Sequence, residues 1–150
     1  SLRRRQRQMC IRDRLSVGSL HIDIRIGEPL QLTPQWRGVS SPYPDIPPFT
    51  ALMLQERELV AEKVRALLTR QQARDLYDLW FLHHRHIPMD RSLVAQKLRL
   101  YQIQVSKQRI RQAIRAAAQR WTSELTPLLA EVPNLSAVVR EMIEYLQDIA

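Results

Sequence analysis

The 150-residue chain has one cysteine and three glycines, and no apolar run approaches the ~20 residues a membrane helix needs. A lone thiol cannot close an internal bridge, which excludes a disulfide scaffold. The basic N-terminus is not followed by the apolar core of a signal peptide, so a cytoplasmic protein is expected. What is present is ordinary globular material, 45% hydrophobic and 25% charged, at a length that fits one domain or part of a larger one. A formal net charge of +8 points toward a polyanionic partner, provided the charge belongs to the folded body.

Most of it lies elsewhere. Residues 1–14 hold six Arg and one Asp, which is +5 of the +8, together with the only cysteine, Cys10. They follow no strand or helix period. One reading is a basic arm for phosphates. The other, and the stronger, is that RRQRQMCIRD resembles the in-frame translation of a transposase-type sequencing adapter. Residues 1–14 are then expected to be a disordered tail outside the fold, with the original N-terminus missing.

From Leu20 to Ile26 the chain alternates strictly. Leu20, Ile22, Ile24 and Ile26 fall on one face, with His21, Asp23 and Arg25 on the other, which predicts a half-buried strand closed by Gly27 and Pro29. A single strand leaves its amides unpaired, so its sheet partners are expected upstream. Residues 29–48 carry six of the nine prolines and read as an extended connection, with a short strand near Leu30–Leu32.

From about Thr50 onward there is no glycine, and helix formers dominate. Leu59, Val60, Val64, Leu67 and Leu68 follow helical spacing. So do Leu76, Leu79, Trp80 and Leu82 after a break near Thr69–Gln72, with Pro88 closing the second helix. Asp90 and Ser106 are candidate N-caps for a third helix to about Tyr101 and a fourth to about Thr122. Asn134 or Ser136 starts a last amphipathic helix through Ile149. The expected organisation is a tail at 1–14, a strand and proline-rich connection at 15–50, and a helical domain at 51–150.

The densest charged constellation runs from Glu56 to Asp78. Arg74 and Asp78 are helical i,i+4 neighbours and Asp75 and Asp78 are i,i+3, so a guanidinium and two carboxylates converge on roughly one face. Spacing alone fits a solvated face of exposed ion pairs, each worth ~0–1 kcal/mol.

These residues also carry a resemblance. Ala61-Glu62-Lys63-Val64-Arg65-Ala66-Leu67, then Arg70 and Arg74-Asp75-Leu76-Tyr77-Asp78-Leu79-Trp80, is similar to the paired signature of the AbiEii family. That family comprises nucleotidyltransferase-like toxins of bacterial abortive-infection and type IV toxin–antitoxin systems, within the DNA polymerase β-like nucleotidyltransferase superfamily. The resemblance extends upstream to HIDIRIGEP and downstream through Trp121 and Leu125 to the terminal helix.

The resemblance implies an α+β fold, the remnant of a nucleotidyltransferase palm sheet followed by a mainly helical C-terminal region. It implies transfer of a nucleotide from an NTP to an acceptor such as RNA, with Mg²⁺ as cofactor and a cognate antitoxin as partner. Such chemistry needs carboxylates to hold metal against the triphosphate, and a compact cation for phosphate. By resemblance Lys63 contacts the nucleotide phosphates, Asp78 acts directly in the chemistry and Asp75 supports it. Arg74 orients a carboxylate or touches phosphate, and Asp23 matches a metal-binding carboxylate. The family's Gly-Gly-Thr/Ser segment and Asp-x-Asp motif have no counterpart here. The chain is therefore expected to be an inactive fragment of an active nucleotidyltransferase.

Several residues lie outside that signature. Lys107, Arg111 and Arg115 recur every four residues and form either a solvated face or a stripe for an RNA acceptor such as tRNA. His83, His84 and His86 lack adjoining acidic or Cys partners, which favours charge at a helix C-terminus over a metal site. Trp80 and Phe81 read as core in preference to a base-stacking platform. The competing functional class is a non-enzymatic helical module that binds nucleic acid or a partner protein. Convergence of Lys63, Asp78 and Asp23 on one cleft would favour catalysis.

Overall fold

The computed structural model describes the backbone of residues 5–12, 17–24 and 27–149, with side chains from residue 27. The chain divides into two units, Ser1–Leu30 and Gln31–Ala150.

The first unit holds an antiparallel ribbon of β1 (Arg5–Arg12) and β2 (Val17–Ile24), in which Gln6 faces Asp23 and Ile11 faces Gly18. The alternating stretch is thus a strand, beginning three residues before Leu20; Arg25 and Ile26 lie outside the described residues. Its partner does precede it, but within the chain. Residues 5–12, expected as part of a tail without structure, form β1. Ladder bonds are made by backbone amides, which any non-proline sequence can supply, so a missing side-chain period does not prevent pairing. Gly27, at φ +81°, takes the left-handed turn after the ribbon.

The second unit opens with another antiparallel ribbon, β3 (Gln35–Val39) and β4 (Phe49–Met53), with Trp36 opposite Leu52. The short strand expected near Leu30–Leu32 is absent there. The amides of Gln31 and Leu32 each donate at 2.8 Å to the Glu58 carboxylate, which takes the hydrogen bonds a ladder would need. The glycine-free region also begins in strand β4 and turns helical only afterwards.

Six α-helices follow among the described residues: α1 (Glu56–Arg70), α2 (Ala73–His84), α3 (Arg91–Leu100), α4 (Lys107–Ala118), the short α5 (Trp121–Leu125) and α6 (Leu135–Leu146). With the ribbons they make the α+β architecture. Three helix starts are set by the expected local caps. Asp90 accepts from the Ser92 and Leu93 amides, Ser106 from Arg109, and Asn134 from Ala137. The fourth helix stops at Ala118, short of Thr122, and α5 restarts at Trp121.

Helices α1 and α2 are joined by Gln71 in the left-handed region and Gln72, and they pack on each other. Around the pair, α3 and α4 pack on α1, while α4, α5 and α6 pack on α2. Val60, Val64, Leu67, Leu76 and Leu79 are at most 1% exposed, each burial worth about 1.5–3 kcal/mol. The helix pair carrying the charged constellation is therefore the most firmly supported platform in this unit.

Candidate active site

Lys63 on α1 and Asp75 and Asp78 on α2 meet across the α1–α2 seam. Lys63 Nζ lies 2.5 Å from Asp78 Oδ2 and 3.7 Å from Asp75 Oδ1. Arg70, two turns beyond Lys63 on the same face of α1, donates from Nη2 to Asp75 Oδ1 at 2.8 Å. The two carboxylates are not equivalent. The Asp75 side chain is 3% exposed and that of Asp78 39%, so only Asp78 lies open to a ligand.

Arg74 departs from the spacing argument. It is exposed and pairs with neither carboxylate, so the sequence neighbours on α2 are held by cations from α1 instead. Asp75 has a further peculiarity: its Oδ2 is buried without a hydrogen-bond partner. Its other oxygen takes both cations, so Asp75 fixes the α1–α2 geometry from below while Asp78 meets the same lysine from above.

The N-terminus of α2, which carries these carboxylates, has no cap from Gln72. The Ala73 amide instead donates to Glu124 Oε2 at 3.0 Å, so α5 supplies the cap from 51 positions away. At the other end of the helix, Trp80 Nε1 donates to Glu141 Oε2 at 2.9 Å. His84 Nδ1 lies 3.1 Å from the Trp80 carbonyl, and the His83 ring packs on Tyr145 at 4.3 Å.

A second network lies beneath the first. Glu58 is fully buried, takes the Gln31 and Leu32 amides, and accepts from Lys97 Nζ at 3.0 Å. Burial alone would raise the Glu58 pKa, but the two amides and the Lys97 ammonium outweigh it and hold the carboxyl below its ordinary value. Lys97 also lies 3.6 Å from Glu62, which pairs with Arg65, and the Arg65 guanidinium sits 4.3 Å over the Tyr101 ring. The run Glu56–Asp78 was legible as charged. Its buried counter-charge, 39 residues away at Lys97, left no local signal.

The donor set does not make a Mg²⁺ site on its own. Asp75 and Asp78 are already matched by Lys63 and Arg70, and among the described residues no three His, Cys, Asp or Glu side chains converge as metal ligands. Asp23 lies on β2 in the first unit, with its side chain outside the described residues. Of the three residues expected at one cleft, Lys63 and Asp78 are in contact, and the Asp23 side chain lies outside the described residues.

On α4 the side chains of Lys107, Arg111 and Arg115 are exposed and form no ion pair among the described residues. Lys107 and Arg111 line a groove of about 60 Å³ together with Ile110, Ile143 and Gln147. Trp80 is half-buried against the core as expected, whereas Phe81 is 44% exposed and lies outside it. Among the described residues, no helix is long and apolar enough to cross a membrane.

No curated protein and no solved structure matches the chain. The family model for the nucleotidyl transferase AbiEii toxin of type IV toxin–antitoxin systems matches residues 4–147, spanning both units and the Lys63, Asp75 and Asp78 constellation. The chain belongs to the AbiEii family of nucleotidyl transferase toxins.

Proposed function

We propose that the Lys63–Asp78 face works in the transfer of a nucleotide from an NTP to a nucleic-acid acceptor. The observation that supports this most is an ammonium held 2.5 Å from a half-exposed carboxylate, in a chain of a nucleotidyl transferase family, on a face where Arg74 has no counter-charge among the described residues. An incoming triphosphate would exchange for Asp78 as the partner of Lys63 and take Arg74 as a second cation. Asp78, released from Lys63, would accept the proton of the acceptor hydroxyl. That oxygen attacks the α-phosphorus, the bond to the β-phosphate oxygen breaks, and pyrophosphate leaves. Asp75 acts as a positioning residue for Lys63.

The divalent metal of this chemistry would neutralise charge on the phosphates, and its ligands belong outside the described set, with Asp23 as the candidate this chain offers. Lys107, Arg111 and Arg115 would receive the acceptor backbone, for which tRNA is one suitable RNA. A cognate antitoxin would restrain the activity in the bacterial cytoplasm, in keeping with abortive infection as phage defence. Without Gly-Gly-Thr/Ser and Asp-x-Asp segments, the 150 residues alone would not complete the site. Purified chain incubated with α-labelled NTPs, Mg²⁺ and RNA is expected to leave the RNA unlabelled. A protein that carries this chain with those segments should label it, and should lose that labelling with Asp78→Asn. Labelling by the chain alone would overturn its inactivity; labelling that survives Asp78→Asn would overturn the role of Asp78.

A further inference from the structure

Five residues of α2 and its C-cap recur at helical spacing on one face: Arg74, Tyr77, Asp78, Phe81 and Arg85. At about 100° per residue they fall within roughly a third of the helix circumference. Asp78, which meets Lys63, sits in the middle of the row. The rings of Tyr77 and Phe81 are nearly parallel, 24° between planes with centroids 6.2 Å apart, and Phe81 is 44% exposed. The Arg85 guanidinium lies 5.9 Å over the Phe81 ring, while Arg74 and Arg85 are exposed and have no acidic partner among the described residues.

We propose that Tyr77 and Phe81 form a stacking ledge for an unpaired nucleobase, with Arg74 and Arg85 taking the phosphates on either side. Aromatic faces flanked by unneutralised cations, with the one carboxylate between them matched by Lys63, suit single-stranded nucleic acid, since every base offers a π-face and every linkage a negative charge. An apolar protein partner would gain nothing from two flanking arginines. The core explains Tyr77 in part, because its ring also lies 6.3 Å from that of Trp121; it does not explain Phe81, which is exposed and outside the core cluster. The ledge flanks Asp78, with Tyr77 directly before it and Phe81 about one turn after it, so a base stacked there brings its own sugar and phosphate to the Lys63–Asp78 face. This inference rests on the nucleotidyl transfer reading for its choice of ligand.

The test is binding of the purified chain to a fluorescent single-stranded oligoribonucleotide, to the corresponding duplex and to a labelled NTP, by anisotropy, with thermal unfolding followed by circular dichroism. Phe81→Ala is expected to weaken single-strand binding about 5- to 150-fold with an unchanged melting temperature. Phe81→Leu should not restore it and Phe81→Trp should, while duplex binding should not respond. An equal loss for the NTP assigns the ledge to the base of the nucleotide substrate, and a loss confined to the oligonucleotide assigns it to the acceptor; both uphold stacking. Affinity within twofold for Phe81→Ala, or full rescue by Phe81→Leu, overturns it. Binding that depends on Phe81, with no nucleotide transfer even by a protein that carries this chain together with the Gly-Gly-Thr/Ser and Asp-x-Asp segments, would remove the transfer reading and leave the ledge. Transfer with Phe81-independent affinity would remove the ledge alone.

Discussion

Lys63 is shared by two carboxylates of one helix, 2.5 Å from half-exposed Asp78 and 3.7 Å from buried Asp75. The division of labour follows from exposure. A buried carboxylate cannot be left without counter-charge, so Asp75 keeps its cations whatever binds above, whereas Asp78 can exchange its lysine for solvent or a ligand.

Asp75→Asn should therefore act on stability. Asparagine keeps an oxygen acceptor but removes the buried negative charge that two cations meet, at an expected cost of about 1–3 kcal/mol, or ~2–12 °C in Tm for a protein of this size. Asp78→Asn should cost less than about 1 kcal/mol, because its pair is solvent-screened. Thermal unfolding of both variants checks the contrast.

Glu58 gives the second unit an acid-sensitive joint. Its folded pKa is depressed below the ordinary 4.5, so its contribution is fully present above that value and is lost as pH falls through the lower folded value. Melting temperature should drop on acidification through this window, and Glu58→Gln should lack that part of the dependence. Glu58→Gln should also cost about 3–5 kcal/mol at neutral pH, because it removes the carboxylate charge that meets the buried Lys97 side chain. Removing the ammonium as well, Glu58→Gln with Lys97→Met, should cost less than Glu58→Gln alone, because the Gln oxygen can still accept from the Gln31 and Leu32 amides and no buried cation is left without its carboxylate.

The cap that α5 lends to α2 ties the site to a distant helix. Glu124→Ala leaves the Ala73 amide unpaired and should destabilise by about 0.5–2 kcal/mol. Hydrogen exchange should rise first in the opening turn of α2, the turn that holds Asp75.

Phosphate binding on α4 has a signature distinct from stacking. Alanine at Lys107, Arg111 or Arg115 should lower RNA affinity. On single strands it should also reduce the slope of log K against log salt by about 0.7 for each phosphate no longer neutralised. Phe81→Ala should leave that slope alone. A salt titration by anisotropy separates the two.

Much of the helical region was legible because its signals are local. Asp90, Ser106 and Asn134 cap helices by reaching only two or three residues ahead, and the leucine spacing of α1 and α2 marks their buried sides. What escaped the sequence depends on partners far along the chain. Glu58 reads as one more exposed acid until Lys97 and the Gln31–Leu32 amides close on it. Strand β4 escaped because Phe-Thr-Ala-Leu-Met does not alternate, and residues 5–12 because a ladder needs no side-chain pattern. Phe81 reads as core through its apolar neighbours, although it sits about 140–160° around the helix from Leu76 and Leu79. In the candidate site, Lys63 and Asp78 were singled out by resemblance, and spacing set Arg74 beside Asp78, whereas the fold sets Lys63 against Asp78 and Arg70 against Asp75.

The central claim is that the cation at Lys63 serves a nucleotide. Titration of the 150-residue chain with a fluorescent NTP, wild type against Lys63→Ala and Lys107→Ala, tests it most directly, with circular dichroism to verify folding. The account predicts at least about tenfold weaker binding for Lys63→Ala, the loss of one charged hydrogen bond, and near-normal binding for Lys107→Ala. Folded Lys63→Ala protein that binds the NTP as tightly as wild type would contradict it.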